Sequence, residues 1–177
     1  DDDRLSALRD EVVTCLRGLH PVENEDVCAL VHPLDSNSEA MKSSQLLAGL
    51  MASLHGEEIR RHLCEHIGWG TIVAHPGSCL LVAVPPGGFW LPRGAIAGRP
   101  SGAALAFSLF LTEDWWSKVD GGLVEIYDAD TAKPHATVVP RFNTCLVYDA
   151  GASVAATRVA TDRAPQLAIH GVFCREE

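Results

Sequence analysis

Leu105-Ala106-Phe107-Ser108-Leu109-Phe110-Leu111-Thr112-Glu113-Asp114-Trp115-Trp116 runs on, after three residues, into Asp120-Gly121-Gly122-Leu123-Val124-Glu125-Ile126-Tyr127-Asp128. Both apolar runs are rich in β-branched, aliphatic and aromatic residues, and a Gly-Gly turn parts them, which is the signature of consecutive strands. The same pattern extends in both directions. Thr71–Val73 and Ser78–Val84 precede the quoted stretch, in which Ala103–Leu111 and Leu123–Tyr127 are the strands; Thr144–Tyr148 and Gln166–Phe173 follow it. Turn residues separate them at Pro85-Pro86-Gly87-Gly88, Gly98–Gly102, Asp149–Gly151 and Asp162–Pro165.

Upstream of Gly70 the period changes to that of helices. Asp3 can cap a helix carrying Leu5, Leu8, Val12, Leu16 and Leu19 on one stripe. Ser43–Leu54 gives a second helix, and Glu57–Ile67 a third that Gly68 closes. Pro21–Asp35, with two prolines and several acids, reads as irregular. Helices first and short strands afterwards predict an α+β domain built on a sandwich or barrel.

The 177 residues fit one domain, and a chain of this size buries about 70% of its unfolded surface without help from disulfides. A hydrophobic share of 47% and a charged share of 21% are those of a globular protein. The net charge of −9 disfavours a phosphate backbone as partner; Arg60–Arg61 and Arg93–Arg99 read as small solvated clusters. Cys15, Cys28, Cys64, Cys79, Cys145 and Cys174 form no CxxC pair, and several sit in apolar runs. They read as buried thiols of a reducing, intracellular compartment. No apolar run reaches the roughly 20 residues that span a bilayer, and the opening Asp1-Asp2-Asp3 carries no signal-peptide pattern.

Three groups of residues could carry chemistry. His62-Leu63-Cys64-Glu65-His66 matches HxxEH, which puts two imidazoles on one helix face for a zinc hydrolase with Glu65 as base. The competing reading is a helix end where histidines favour the negative dipole pole. Glu125, Asp128 and Asp130 cluster at a strand end, either for acid–base work or as a solvated loop. His75, His135 and His170 are isolated, and His170 sits in an apolar strand. There is no Walker loop, GxSxG or GxGxxG.

The quoted stretch resembles the "AF-x-LYL-t-x-WW … dGG-x-L-x-LYD" core of the 2-oxoglutarate/Fe(II) dioxygenases, in their ribosomal prolyl-hydroxylase branch. Val139-Pro140-Arg141-Phe142-Asn143-Thr144-Cys145-Leu146-Val147-Tyr148 is similar to the family's "P-x-x-N-x-LV-F" strand. Pro165-Gln166-Leu167-Ala168-Ile169-His170-Gly171-Val172-Phe173 is similar to its "pRlSIsGWF" strand. The match covers roughly residues 43 to 174. It implies a double-stranded β-helix (a jelly-roll barrel) at 43–177, with an N-terminal helix and irregular extension at 1–42.

The resemblance also implies where ligands should lie. Two histidines and a carboxylate bind iron in this family, and an arginine with a serine two residues on pairs with 2-oxoglutarate. The HxD position reads Arg93-Gly94-Ala95, the second histidine falls near Val154–Ala156, and the arginine and serine positions are Gln166 and Ala168. Ala95 alone would match the halogenase pattern, but Arg93 is a permanent cation that cannot coordinate a metal. With Arg93, Ala95, Ala156, Gln166 and Ala168 at the ligand positions, the expectation is a pseudoenzyme without metal, cofactor or catalytic residues. It would act as an accessory subunit bound to other protein subunits of a larger assembly, in an organelle such as the mitochondrion, with no nucleic acid and no membrane span. The alternatives are a module binding a small anion through Arg93, Arg99 and His170, and the hydrolase of His62, Glu65 and His66.

Overall fold

The computed structural model describes residues 2–15, 18–35, 37–68, 71–75, 78–91, 102–127 and 133–176. In order these form α1 (Asp2–Cys15), β1 (His20–Glu23), β2 (Val27–Pro33), α2 (Glu39–Ser43), α3 (Gln45–Leu54) and α4 (Glu57–Ile67). Then come β3 (Ile72–Ala74), β4 (Leu80–Val84), β5 (Phe89–Trp90), β6 (Ala103–Phe110) and β7 (Val124–Tyr127). The last four are β8 (Pro134–Val138), β9 (Thr144–Asp149), β10 (Ser153–Ala156) and β11 (Gln166–Arg175). Every pairing among them is antiparallel, in the order β8-β7-β10-β5-β2-β4-β11-β6-β9, with β1 on β2 and β3 on β11. The sheet curls into the half-barrel of a double-stranded β-helix.

Alternation along the strands gives the sheet two buried faces. Leu81 and Ala83 of β4 and Leu167, Ile169 and Phe173 of β11 join Leu8 and Val12 of α1 and Leu47 and Met51 of α3 in one core. Their neighbours in sequence turn inward. Val82 and Val84 pack with Trp90 and Trp116, and Ala168 packs with Phe110 and Val124. The helices therefore seal the outside of the sheet, and the curl seals the inside.

The helical region departs from the sequence reading at two places. The expected Ser43–Leu54 helix is present as α3, and the short α2, which the sequence reading did not include, precedes it; Ser44 between them is extended (φ −117°) and its hydroxyl accepts the Leu47 N–H at 2.9 Å. The same hydroxyl donates to Glu11 and so ties α3 to α1. The Pro21–Asp35 segment, expected to be irregular, contains β1 and β2. Pro21 is tolerated because β1 is an edge strand, and Val27 and Ala29 are core residues of the interior face. Gly68 closes α4 as expected, in the left-handed region at φ 69°.

The Gly-Gly turn after Trp116 is a tight packing point. Gly121 and Gly122 have φ of 73° and 61°. A Cβ on Gly121 would lie 2.0 Å from the Arg158 carbonyl oxygen. Asp120, buried beside the turn, accepts the Ser117 N–H and hydroxyl at 2.7 Å and pairs with Arg163 at 2.5 Å. These hydrogen bonds, first that from the Ser117 hydroxyl, hold the Asp120 carboxyl below its usual range.

Gly121→Ala combines a backbone clash with positive φ, and is expected to cost more than about 2 kcal/mol in urea unfolding. The exposed Gly49→Ala, with nothing within 4 Å of its new methyl, is expected to be neutral or stabilising.

Candidate functional site

The interior face of β11 carries the polar groups that the curl encloses. Gln166, Ala168 and His170 share that face by register: Gln166 lies opposite Val84, Ala168 opposite Val82 and Phe110, and His170 opposite Leu80 and Ser108. Gln166 is 1% exposed, and neither its amide oxygen nor its amide nitrogen has a hydrogen-bond partner. Gly122 presses directly on it: a Cβ there would stand 2.6 Å from Gln166 Oε1. Thr112 holds this end of the strand by donating to the Leu167 carbonyl at 3.1 Å and accepting its N–H at 3.2 Å.

The facing strands are apolar at the matching level. On β10, Val154 pairs with Ile126 and Ala156 with Val124 and Trp90. Val154 packs on the cluster of Phe110, Val124 and Ala168. These are the positions where the resemblance calls for a histidine and a serine, and they hold hydrocarbon.

Deeper along β11, the His170 Nδ1 and the buried Ser108 Oγ are 2.7 Å apart. The edge of the Trp90 ring meets the imidazole at 5.4 Å and 74°. Its Nε2 is buried without a partner, and burial pushes the imidazole down to about 4, so it is neutral at pH 7. Sequence reasoning missed this pair; the signal was Ser108, the one polar residue in Ala103–Leu111.

The remaining candidates fare differently. His62 and His66 stand on exposed α4 with ring centroids 4.0 Å apart, beside a cleft of about 490 Å³ that Tyr148 and Asp149 also line. His66 Nδ1 lies 2.9 Å from the His62 carbonyl, and Glu65 is 4.0 Å from Arg61. Among the described residues no three metal-ligating side chains come together there or elsewhere, so the zinc-hydrolase reading lacks its third ligand. Glu125 accepts the Tyr127 hydroxyl at 2.6 Å, which raises the Tyr127 pKa. Arg93, Ala95, Arg99, Asp128 and Asp130 lie outside the described residues. Residues 92–101 read Pro-Arg-Gly-Ala-Ile-Ala-Gly-Arg-Pro-Ser and contain no histidine, cysteine or carboxylate.

No protein-family model and no curated protein matches the chain. Solved structures do. A prolyl-4-hydroxylase from Pseudomonas putida superposes with a TM-score of 0.70 at 20% identity, over 100% of this chain and 89% of its own. A 2-oxoglutarate/Fe(II) oxygenase-family oxidoreductase from Burkholderia pseudomallei gives 0.69 at 12% identity, over 94% and 78%. A prolyl hydroxylase from Trichoplax adhaerens, in complex with a hypoxia-inducible-factor peptide fragment, gives 0.64 at 14% identity, over 97% and 78%. The fold is that of the 2-oxoglutarate/Fe(II) oxygenases, in its prolyl-hydroxylase-like form.

That finding corrects the expectation of a catalytically inactive accessory subunit. The proteins that share this fold are enzymes, and no observation shows that activity has been lost or that the chain is a structural part of an assembly. The fold also implies iron and 2-oxoglutarate, and the described residues do not fit either. The interior at Val154, Ala156 and Ala168 offers no metal donor, and Gln166 offers 2-oxoglutarate a neutral amide in place of a cation.

The neutral His170 sets a pH dependence. Its folded pKa of about 4 lies below the unfolded value of about 6.5, so the unfolded chain binds more protons between them. Stability is expected to be full above that window and to fall as pH drops through it. Half-buried His55, shifted the same way by desolvation, adds to the slope. Urea unfolding across the window should show a shallower decline for His170→Gln than for the parent; equal slopes would mean that His170 is not desolvated.

Proposed function

We propose that the chain is a prolyl-hydroxylase-like protein of the ribosomal branch whose ligand positions are rewritten at Arg93, Ala95, Ala156, Gln166 and Ala168, and that its barrel is a working small-molecule site. The observation that carries this reading is Gln166. A buried amide with both polar atoms unpartnered costs stability, and in an otherwise apolar interior such a group marks a place where a ligand is received. Sites of this kind trade stability for binding. His170 and Ser108 supply a second neutral polar point on the same face of β11.

The setting is an intracellular compartment. Its support is that Cys28, Cys79, Cys145 and Cys174 are outside any disulfide, as a reducing environment keeps them. No helix of the described residues is long and apolar enough to cross a membrane.

Gln166→Leu tests the reading because it separates function from stability. Replacing an unsatisfied amide by an apolar side chain of similar length is expected to raise unfolding stability, by about 1 kcal/mol or more. It is also expected to abolish the thermal shift given by small amides and acids. A ligand at 100 times its Kd adds about 2.7 kcal/mol to the parent, which melting curves resolve. A variant that is destabilised, or that keeps every ligand shift of the parent, would count against Gln166 as the recognition group.

A further inference from the structure

β9 ends the sheet path and pairs with β6 alone among the described strands. The Ala150 N–H, which donates to the Ala104 carbonyl at 3.1 Å, sets the phase of that ladder. Alternation along an antiparallel pair then turns the backbone groups of Leu146 and Tyr148 toward β6 and those of Cys145 and Val147 away from it. The outward N–H and C=O groups of Cys145 and Val147 have no partner among the described residues. A cleft of about 490 Å³ runs along this edge. It touches Val147, Tyr148 and Asp149 in succession on β9, Leu105 on β6, and Leu63 and Ile67 on α4. We infer that this cleft docks an extended basic peptide of a partner protein, which adds to β9 as a further strand. The surface lies on the helix side of the sheet, opposite the face that carries Gln166.

Other rims of the sheet are guarded. β1 carries Pro21 and β8 opens on Pro134, each of which removes a donor from an edge strand. Thr144–Asp149 contains neither proline nor lysine, so its outward groups are a template for another chain. Side chains of an added strand alternate between the two faces. One that enters the cleft beside Val147 meets the aliphatic groups of Leu63, Ile67 and Leu105. The next on that face, two residues along, comes level with Asp149, whose carboxylate favours a lysine or arginine. On α4, Arg60 and Arg61 are paired with Glu57 and Glu65. The net charge of −9 draws a basic segment in the same sense.

The probe is a fluorescein-labelled peptide of repeated Val-Thr-Lys-Thr, which as a strand shows valine and lysine in turn on one face. Val-Thr-Glu-Thr repeats are its control. By fluorescence anisotropy the full chain is expected to bind the lysine peptide about tenfold more tightly than the glutamate peptide. Hydrogen-exchange NMR is expected to show the Cys145 and Val147 amides gaining protection as it binds. Val147→Pro removes an outward donor and leaves the bonds of Leu146 and Tyr148 to β6, and is expected to lose about tenfold in affinity. Asp149→Lys keeps every strand donor and is expected to reverse the preference between the two peptides; it decides the matter where the proline variant does not fold. Binding of neither peptide, equal binding of both, or binding that leaves those amides unprotected would overturn the inference. Self-association of the chain that protects the same amides would also overturn it, and would make the edge a contact between two copies.

Discussion

β11 is the strand on which the rest depends. It is hydrogen-bonded along one edge to β6 and along the other to β4 and then β3. Because side chains alternate, a slip of one residue would exchange its two faces. Leu167 and Ile169 would enter the barrel, and Gln166 and His170 would meet Leu47 and Met51 under the helices. Three contacts hold the register. Thr112 grips both backbone groups of Leu167, Ser108 meets His170 across the pair, and Gly171 sits where any Cβ would stand 2.5 Å from the Phe107 ring.

From that register the two cores follow, and so does the site. The outward face binds α1 and α3 through aliphatic side chains, which explains how helices with modest intrinsic propensity are kept on the sheet. Along β4, β6 and β11 the described inward residues are apolar except at Gln166, Ser108 and His170. A core that tolerates those groups gives up stability that hydrocarbon at the same positions would supply. Burial keeps the imidazole uncharged. A shared backbone leaves the chemistry to the side chains it presents.

Much of this was legible in the chain. The strands β4, β6, β7, β9 and β11 announce themselves by apolar runs between Gly and Pro turns, and α4 by its period and Gly68. The face shared by Gln166, Ala168 and His170 is readable from alternation alone. β1 and β2 were not, because Pro21, Glu23, Glu25 and Asp26 mask a short run whose burial depends on strands far away in sequence. β5 was hidden by its length of two residues, and β8 and β10 by composition, because Pro-His-Ala-Thr-Val and Ser-Val-Ala-Ala lack the apolar run of β4. Two features of the site could not be read from a list of residues. One is the approach of Gly122 to Gln166, which needs the fold that joins the turn to β11. The other is the meaning of the substitutions. A missing ligand in a motif reads as a loss, and the sequence does not show that the amide in its place is buried with both polar atoms unpartnered.

Gln166 lies inside the barrel, packed against Gly122 and shielded from water. Side-chain amide NMR with selectively labelled glutamine tests it without knowledge of the ligand. The Gln166 NH2 protons are expected to exchange slowly with solvent and to show nuclear Overhauser contacts to the Gly122 Hα and the Val84 methyls. An NH2 pair that exchanges at the rate of an exposed glutamine, with no contact to Gly122, would contradict it.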